Sequence, residues 1–141
     1  MDEKQNKTAV YYVEDEPDLV ELCKIAFQIN GFNMQSVATG EGAMEDVKKI
    51  INKEIDPPSA FILDILLPGI SGMDILREIR KHKELNRIPI VLFTNYSDKK
   101  IRDEAENTEN TEYVLKTDVI PTQLVKIVSK KIEESKVKYK K

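Results

Sequence analysis

The sequence predicts an α/β domain in which a parallel sheet of five strands is covered by helices on both faces. Short apolar runs alternate five times with amphipathic segments, and this alternation is typical of a parallel sheet. Three runs, at residues 9–13, 60–63 and 90–93, are almost entirely apolar, as strands buried on both faces must be. The length of 141 residues suits one such domain, and 40% hydrophobic with 33% charged residues indicates a globular chain.

The first strand and helix have clear boundaries. An apolar run covers Ala9–Val13, and Pro17–Asn30 carries apolar residues at the i, i+3, i+4 spacing of an amphipathic helix. Pro17 suits the first helical position, because its missing N–H would have no partner there, and Gly31 suits the position after the helix. The predicted buried face consists of Leu19, Leu22, Cys23, Ala26 and Phe27.

The next two strand–helix pairs are separated by a pair of prolines. Met34–Ala38 is predicted as a weaker strand, and Gly42–Ile51 as a helix with apolar residues along one side. The segment 56–58 (Asp-Pro-Pro) then interrupts the chain, because proline cannot continue a helix or a central strand. Ala60–Leu63 and Met73–Arg80 follow as the third strand and the third helix.

The last two pairs complete the five βα units. Ile90–Thr94 is the predicted fourth strand, and Lys99–Glu106 is a short, polar helix with few apolar residues to anchor it. Tyr113–Lys116 is the predicted fifth strand, and Pro121–Glu134 is a fifth helix with an apolar face at helical spacing.

The charge pattern gives no support for nucleic-acid binding through this domain, because the net charge is −3. Residues 130–141 hold six lysines and two glutamates, a net of +4, so the other 129 residues carry −3 − 4 = −7. This basic segment is either a solvated helix end that the helix dipole favours, or a contact for an acidic partner or a membrane surface.

The expected compartment is the reducing cytoplasm. No apolar run approaches the roughly 20 residues of a membrane span, and the N-terminal MDEKQNK lacks the features of a signal peptide. The single cysteine, Cys23, excludes an intramolecular disulfide.

Several chemically active side chains follow the predicted strands, at the edge where parallel strands end. They are Glu14, Asp15 and Glu16 after the first strand, Asp64 after the third, Thr94 and Asn95 after the fourth, and Lys116 after the fifth. Functional groups of parallel α/β sheets gather beyond these strand ends, so we expect these side chains to lie together.

Such a group of side chains can accept a phosphoryl group. Clustered carboxylates repel one another, and Mg²⁺, which prefers oxygen ligands, relieves the repulsion. Lys116 supplies a point charge for phosphate and Thr94 supplies a hydroxyl, so that Asp64 can attack phosphorus and form an aspartyl phosphate. Each residue alone has an ordinary structural role, such as an acid at a helix start or an Asx turn. The prediction therefore rests on all of them occurring together.

The residues at these positions resemble those of the response-regulator receiver domain of two-component signalling. The matching segments are VEDEP (13–17), LDILLPGISGMD (63–74), FT (93–94) and YVLK (113–116). The resemblance covers residues 8–133, which we expect to form one receiver domain, and leaves residues 134–141 as a lysine-rich C-terminal tail. It implies a flavodoxin-like, doubly wound α/β fold with strand order 2-1-3-4-5.

The resemblance also implies a role for each site residue. Asp64 would be the phosphoacceptor, Thr94 and Lys116 would bind the phosphoryl group, and Tyr113 would turn inward when Thr94 moves. The implied ligands of Mg²⁺ or Mn²⁺ are Asp15, Asp64, the backbone carbonyl of Leu66, and Glu14 through water.

The implied partners are a sensor histidine kinase or a histidine phosphotransfer protein, and a downstream protein that binds a surface changed by phosphorylation. We expect no enzymatic activity beyond Mg-dependent self-phosphorylation and self-dephosphorylation. A homodimer through the fourth helix, fifth strand and fifth helix is compatible with the resemblance, although no residue pattern argues for it. We expect the helix Lys99–Glu106 to move, because it has few apolar contacts to lose.

Four features depart from the family pattern. Glu14 stands where aspartate is commoner, Asn95 where a very small residue is usual, and Thr117 where a proline in a cis peptide bond is usual. The turn before the last helix is also one residue longer. Leu66 and Tyr96 occupy positions that tune hydrolysis of the aspartyl phosphate, and neither side chain holds an attacking water well. We therefore predict slow loss of the phosphoryl group.

Three other functions compete with this prediction. A binding module that keeps the fold without using phosphorylation is supported only by the departures at Asn95 and Thr117. A haloacid-dehalogenase-type phosphohydrolase needs a second acid two residues after the nucleophile, where this chain has Leu66. An FMN-binding domain needs a loop rich in hydroxyl groups and glycine after the first strand, where the acidic EDEP would repel phosphate.

Overall fold

The computed structural model describes residues 8–140; the segment MDEKQNK and Lys141, at the end of the predicted tail, lie outside that range. The strands are β1 (Thr8–Val13), β2 (Phe32–Val37), β3 (Ala60–Leu63), β4 (Ile90–Thr94) and β5 (Thr111–Leu115). The helices are α1 (Pro17–Ile29), α2 (Gly40–Ile51), α3 (Gly72–Arg80), α4 (Lys99–Glu106) and α5 (Pro121–Lys138). Short 3₁₀ turns follow α3 at Lys83–Leu85 and β5 at Lys116–Asp118.

The five strands form one parallel sheet in the order β2-β1-β3-β4-β5, which confirms the predicted fold class and strand order. The central strand β3 is buried along its whole length. Val13 of β1 pairs with Leu63 of β3, so the two strands end side by side. The residues that follow them therefore share one edge of the sheet.

The two edge strands differ from their predicted boundaries. β2 begins at Phe32, two residues earlier than predicted, and pairs with β1 along its full length. β5 spans Thr111–Leu115, so Lys116 begins the 3₁₀ turn after the strand instead of ending the strand. Each of these strands has a neighbour on one side only, so partly polar sequences form them without the apolar run that marks β3.

The last helix continues to Lys138, four residues beyond its predicted end at Glu134. Lys138 forms an ion pair with Glu109 at 3.4 Å, and the Tyr139 hydroxyl donates a hydrogen bond to the same carboxylate. Lysines in the last turn also suit the negative end of the helix dipole. Neither α5 nor any other helix within residues 8–140 is long and apolar enough to cross a membrane.

The sheet separates two apolar cores. The adjacent tyrosines of β1 belong to opposite cores, because successive side chains of a strand point to opposite faces. Tyr11 packs on the side of α2 and α3, and Tyr12 packs on the side of α1 and α5. Both side chains are buried, so each phenol needs a hydrogen-bond partner inside the protein.

The buried face of α1 is narrower than predicted. Cys23, Ala26 and Phe27 are buried, but Leu22 is 57% exposed, so its assignment to the core was wrong. Successive helical residues lie about 100° apart, which turns Leu22 away from the side centred on Cys23. Ile25 and Ile29 are exposed on the same outer side.

A partly buried arginine, Arg80, lies at the opposite end of the sheet, where strands β4 and β5 begin. The guanidinium of Arg80 donates hydrogen bonds to the backbone carbonyls of Leu85 and Ile88, at 2.8 and 2.7 Å. It also donates to the carbonyls of Glu109 and Asn110, at 2.7 and 3.0 Å. Burial lowers the pKa of Arg80 to about 10, so the group remains charged at neutral pH. Arg80 thereby joins α3 to the segments that precede β4 and β5.

Candidate functional site

Two loops carry the predicted acids beyond the ends of β1 and β3. The N–H of Glu14 donates to the carbonyl of Val37, and the N–H of Asp64 donates to the carbonyl of Val13, each at 3.0 Å. These bonds continue the sheet ladder one residue past each strand. Glu14 and Asp64 consequently leave the sheet from fixed positions.

Three carboxylates meet at this edge. One oxygen from each of Glu14, Asp15 and Asp64 lies within 4.8 Å of the other two. Glu14 is 1% exposed and Asp64 is 5% exposed, whereas Asp15 faces solvent. Oxygen ligands are those that Mg²⁺ prefers, and an exposed ligand leaves such a cation reachable from water. The donor set therefore fits a hard divalent cation.

Lys116 lies against the same carboxylates, and its side chain is 8% exposed. Its Nζ is 2.8 Å from an oxygen of Glu14 and 3.0 Å from an oxygen of Asp64. A further carboxylate, that of Glu16, lies 3.1 Å away. Burial lowers the pKa of Lys116, but the hydrogen bonds to these carboxylates more than offset it, and the pKa lies above its usual value.

The charges at this edge do not balance. The ammonium of Lys116 pairs with three carboxylates, and the carboxylate of Asp15 lies beside two of them, which gives a formal sum of +1 − 4 = −3. Two of the carboxylates are buried, where an uncompensated charge is costly. A bound divalent cation would reduce this excess, which is a second reason that the residues present fit Mg²⁺.

Glu14 is the most enclosed of the acids. Its Oε1 accepts a hydrogen bond from the Tyr12 hydroxyl at 3.0 Å, and its Oε2 accepts one from the N–H of Glu16 at 3.3 Å. Burial raises the pKa of Glu14, the hydrogen bond from Lys116 opposes the rise, and repulsion by Asp64 adds to it. Burial also raises the pKa of Tyr12, so its phenol keeps the proton and acts as a donor.

The two oxygens of Asp64 have different neighbours. Lys116 donates to Oδ2 at 3.0 Å, and the N–H of Leu66 donates to Oδ1 at 3.3 Å. The start of α3 packs closely behind this residue, since a Cβ placed on Gly72 would lie 2.0 Å from the Asp64 carbonyl oxygen. Only glycine permits that approach, which sets the path of the chain around Asp64.

A chain of hydrogen bonds leads from the end of β4 to β5. Thr94 is fully buried, and its hydroxyl oxygen accepts a hydrogen bond from the N–H of Tyr96 at 3.1 Å. The Tyr113 hydroxyl donates to the carbonyl of Tyr96. The guanidinium of Arg102, on α4, lies 5.0 Å over the Tyr113 ring, within the range of a cation–π contact. Thr94, the loop after it and α4 are thus connected through Tyr113.

The structure brings together the three acids and the lysine that the sequence predicts, and it places Thr94 at the end of the strand beside β3. Leu66 contributes its N–H to Asp64, and its side chain is 57% exposed. Asn95 is exposed. The bond between Lys116 and Thr117 is trans, like every peptide bond within the described range.

One contact and one contributor are not predicted from the sequence. Glu16 is expected among the acids at this edge, but its pairing with Lys116 is not predicted. Tyr12 is predicted simply as part of an apolar strand, yet its hydroxyl contacts Glu14. A tyrosine inside a doubly buried strand is itself a signal, because its hydroxyl must find a partner.

Comparison with protein families gives one match over most of the chain: residues 10–134 match the response regulator receiver domain. The phosphate regulon transcriptional regulatory protein PhoB of Rhizobium meliloti (strain 1021) is 28% identical over 115 residues, which are 82% of this chain and 48% of that protein. The response regulator SaeR of Staphylococcus aureus (strain USA300) is 29% identical over 76 residues, 54% of this chain and 30% of that protein. The chain thus spans about half the length of the first relative and less of the second.

Solved structures share the fold. A CheY-like response regulator receiver domain protein from Methanospirillum hungatei JF-1 has a TM-score of 0.78 at 22% identity, covering 94% of this chain and 98% of that one. The BeF3-activated N-terminal receiver domain of RstA from Klebsiella pneumoniae has a TM-score of 0.72 at 25% identity, covering 89% and 98%.

Proposed function

Because the chain belongs to the response regulator receiver domain family, we propose that it is a signalling switch that accepts a phosphoryl group on Asp64. The donor would be a phosphohistidine of a histidine kinase or of a histidine phosphotransfer protein. The observation that carries the proposal is the pairing of the Asp64 carboxylate with Lys116, at 3.0 Å, inside a cluster of carboxylate oxygens.

Mg²⁺ or Mn²⁺ would be held by Asp15 and Asp64, by the backbone carbonyl of Leu66, and by Glu14 through water. When bound, such a cation would supply positive charge beside the phosphoryl oxygens. The spacing of the carboxylate oxygens and the excess negative charge support this assignment.

The transfer itself needs one nucleophile and charge neutralisation. An oxygen of Asp64 would form a bond to phosphorus while the bond from phosphorus to the donor's histidine nitrogen breaks and leaves its electron pair on that nitrogen. Lys116, whose ammonium already lies at this carboxylate, would pair with the phosphoryl oxygens, and the hydroxyl of Thr94 would donate to one of them.

The output would be a change in the surface formed by α4 and β5. Thr94 is linked to Tyr113, on β5, through the main chain of Tyr96. A shift of Thr94 would therefore move Tyr113 and, through the contact of Arg102 with the Tyr113 ring, α4. Among the residues of α4, only Ala105 is buried, which favours movement of this helix. A downstream partner that reads this surface would respond to the phosphoryl group without touching it.

The phosphoryl group would be lost slowly. Leu66 is apolar and 57% exposed, and Tyr96 packs against the apolar core on the side of α2 and α3, so we expect neither side chain to hold an attacking water. The decay of the phosphorylated protein in Mg²⁺ tests this point, and a half-life of seconds would contradict it.

The proposal is tested with a small phosphodonor, acetyl phosphate, in the presence of Mg²⁺, followed by intact-protein mass spectrometry. Wild-type protein should gain the mass of one phosphoryl group, located on Asp64 by peptide mapping, and Asp64→Asn should gain none. Asp46→Asn is a matched control, because Asp46 lies on α2 and bonds to Tyr11 on the other side of β1. Wild type without a gain would favour the alternative of a binding module that does not use phosphorylation. An equal gain in Asp64→Asn would refute Asp64 as the acceptor.

A further inference from the structure

The hydroxyl of Tyr12 is the only polar atom that this side chain brings into a core otherwise built from apolar residues and Cys23. The side chain is fully buried, and its oxygen lies 3.0 Å from Oε1 of Glu14. A phenol in that position without a partner would be costly. The hydrogen bond to Glu14 therefore satisfies the hydroxyl of Tyr12, which has no access to water.

The carboxylate of Glu14 is held from several sides. Oε1 receives both the Tyr12 hydroxyl and the ammonium of Lys116, at 3.0 and 2.8 Å, and Oε2 receives the N–H of Glu16 at 3.3 Å. Of these donors, Lys116 is the long, flexible one, whereas Tyr12 is fixed by its core and the Glu16 N–H is part of the main chain.

The length of Glu14 matters for this arrangement. Tyr12 and Glu14 are two residues apart along an extended chain, so their side chains leave on the same side. An aspartate in the same place would keep its oxygens about 1.5 Å closer to the backbone, the length of one carbon–carbon bond. Glutamate, which stands here where the family more often has aspartate, is thus long enough to reach the buried hydroxyl of Tyr12.

We propose that Tyr12 is a positioning residue, which fixes the carboxylate of Glu14 at the cation site and keeps it satisfied when Lys116 turns toward a phosphoryl group. The inference rests on the cation site of the proposed function. Residues that orient a metal ligand from behind influence affinity although they never touch the metal, because they restrict where the ligand's oxygens point. Tyr12 would act in this way from inside the core.

The test measures binding of Mg²⁺ to the full chain by calorimetry, so no phosphoryl transfer is involved. Tyr12→Phe should bind Mg²⁺ roughly tenfold more weakly than wild type. Tyr11→Phe is the matched control, because it removes the neighbouring phenol, whose partner is Asp46 on α2, and it should bind Mg²⁺ as wild type does. Urea unfolding of both variants checks that each is folded.

A double-mutant cycle separates positioning from packing. In a Glu14→Ala background Tyr12 has no carboxylate to orient, so Tyr12→Phe should cause no further loss of Mg²⁺ affinity. An equal loss in both backgrounds, or wild-type affinity in Tyr12→Phe, would overturn the inference while leaving phosphorylation of Asp64 untouched. Wild-type protein that binds no Mg²⁺ and takes no phosphoryl group from acetyl phosphate would overturn both the inference and the proposed function.

Discussion

Replacing Lys116 by methionine should destabilise the protein strongly at neutral pH. The substitution keeps an unbranched side chain of similar reach but removes the ammonium that lies 2.8 Å from Glu14 and 3.0 Å from Asp64. Removing one partner of a buried ion pair typically costs about 3–5 kcal/mol, because the other charge stays buried without compensation. Glu14, which is 1% exposed, is the more deeply buried of the two charges left behind, and Asp64 is the other.

The protonation of Glu14 sets an upper limit to the part of this cost that comes from Glu14. A buried carboxyl can take up a proton instead of remaining charged, and at pH 7.5 that costs about 4 kcal/mol for a group whose usual pKa is about 4.3. Burial already raises the pKa of Glu14 in the wild-type protein, where Lys116 opposes the rise, and losing Lys116 raises it further. The folded variant then binds more protons than the unfolded chain, so its stability relative to wild type falls as pH rises above the unfolded pKa. At pH 5.5 the same limit is below about 2 kcal/mol.

Equilibrium unfolding in urea, with EDTA present, measures the effect. With a slope of about 2 kcal/mol per molar urea, the midpoint of Lys116→Met should lie about 2 M below that of wild type at pH 7.5, and the gap should shrink by more than half at pH 5.5. Lys131→Met is the control, since the ammonium of Lys131 lies as far as 4.0 Å from the exposed carboxylate of Glu112, and its loss should cost less than about 1 kcal/mol. A loss below about 1 kcal/mol for Lys116→Met, or one that is equal at both pH values, would refute the reasoning.

Three further changes test other parts of the structure. Arg80→Met should lower the free energy of unfolding by about 3 kcal/mol, measured in urea, because four backbone carbonyls lose a charged donor; a loss below about 1 kcal/mol would contradict this. Gly72→Ala should destabilise the protein by about 1–3 kcal/mol and slow phosphoryl uptake from acetyl phosphate, because the new Cβ would lie 2.0 Å from the carbonyl oxygen of Asp64. Unchanged stability and uptake would show that the start of α3 can shift away from Asp64 at little cost. Glu104→Gln should lower the free energy of global unfolding by less than about 1 kcal/mol, because its ion pair with Arg77, at 2.7 Å, is exposed. Because that pair joins α4 to α3, amide hydrogen exchange within α4 should nevertheless become faster, and unchanged exchange would contradict this role.

The sequence predicts the strands buried on both faces well and the edge strands less well. The run at Ala60–Leu63 is recognisable because burial on both sides demands apolar residues throughout, and its predicted limits are those observed. β2 and β5 have one neighbour each, so residues such as Asn33 and Glu112 form part of a strand without the pattern that would reveal it. Leu22 shows the reverse error, since an apolar residue next to a buried face need not belong to it.

Which site residues share one edge follows from topology, but their hydrogen-bond partners do not. The acids and Lys116 converge because parallel strands end at the same edge, and the order of chemically active residues along the chain suffices to predict that. Residue spacing places Glu14 and Tyr12 on the same side of the chain, but it does not fix the side-chain torsions that turn one oxygen of Glu14 toward the Tyr12 hydroxyl. The role of Tyr12, and the pairing of Glu16 with Lys116, were missed for this reason.

The acids and the lysine of the site belong to parts of the fold that differ in how firmly they are held. Glu14 and Asp64 follow two strands in the interior of the sheet, and ladder hydrogen bonds fix their backbones. Lys116 follows β5, an edge strand, and α4 beside it buries only Ala105. Local opening costs least where few apolar contacts are lost, so movement should concentrate on the side of Lys116.

A phosphoryl group on Asp64 would bring additional negative charge to this edge and compete with Glu14 and Glu16 for the ammonium of Lys116. If Asp64 is the acceptor, as proposed, Asp64 and Glu14 would stay in place while Lys116 moves, and that movement would reach β5 and α4.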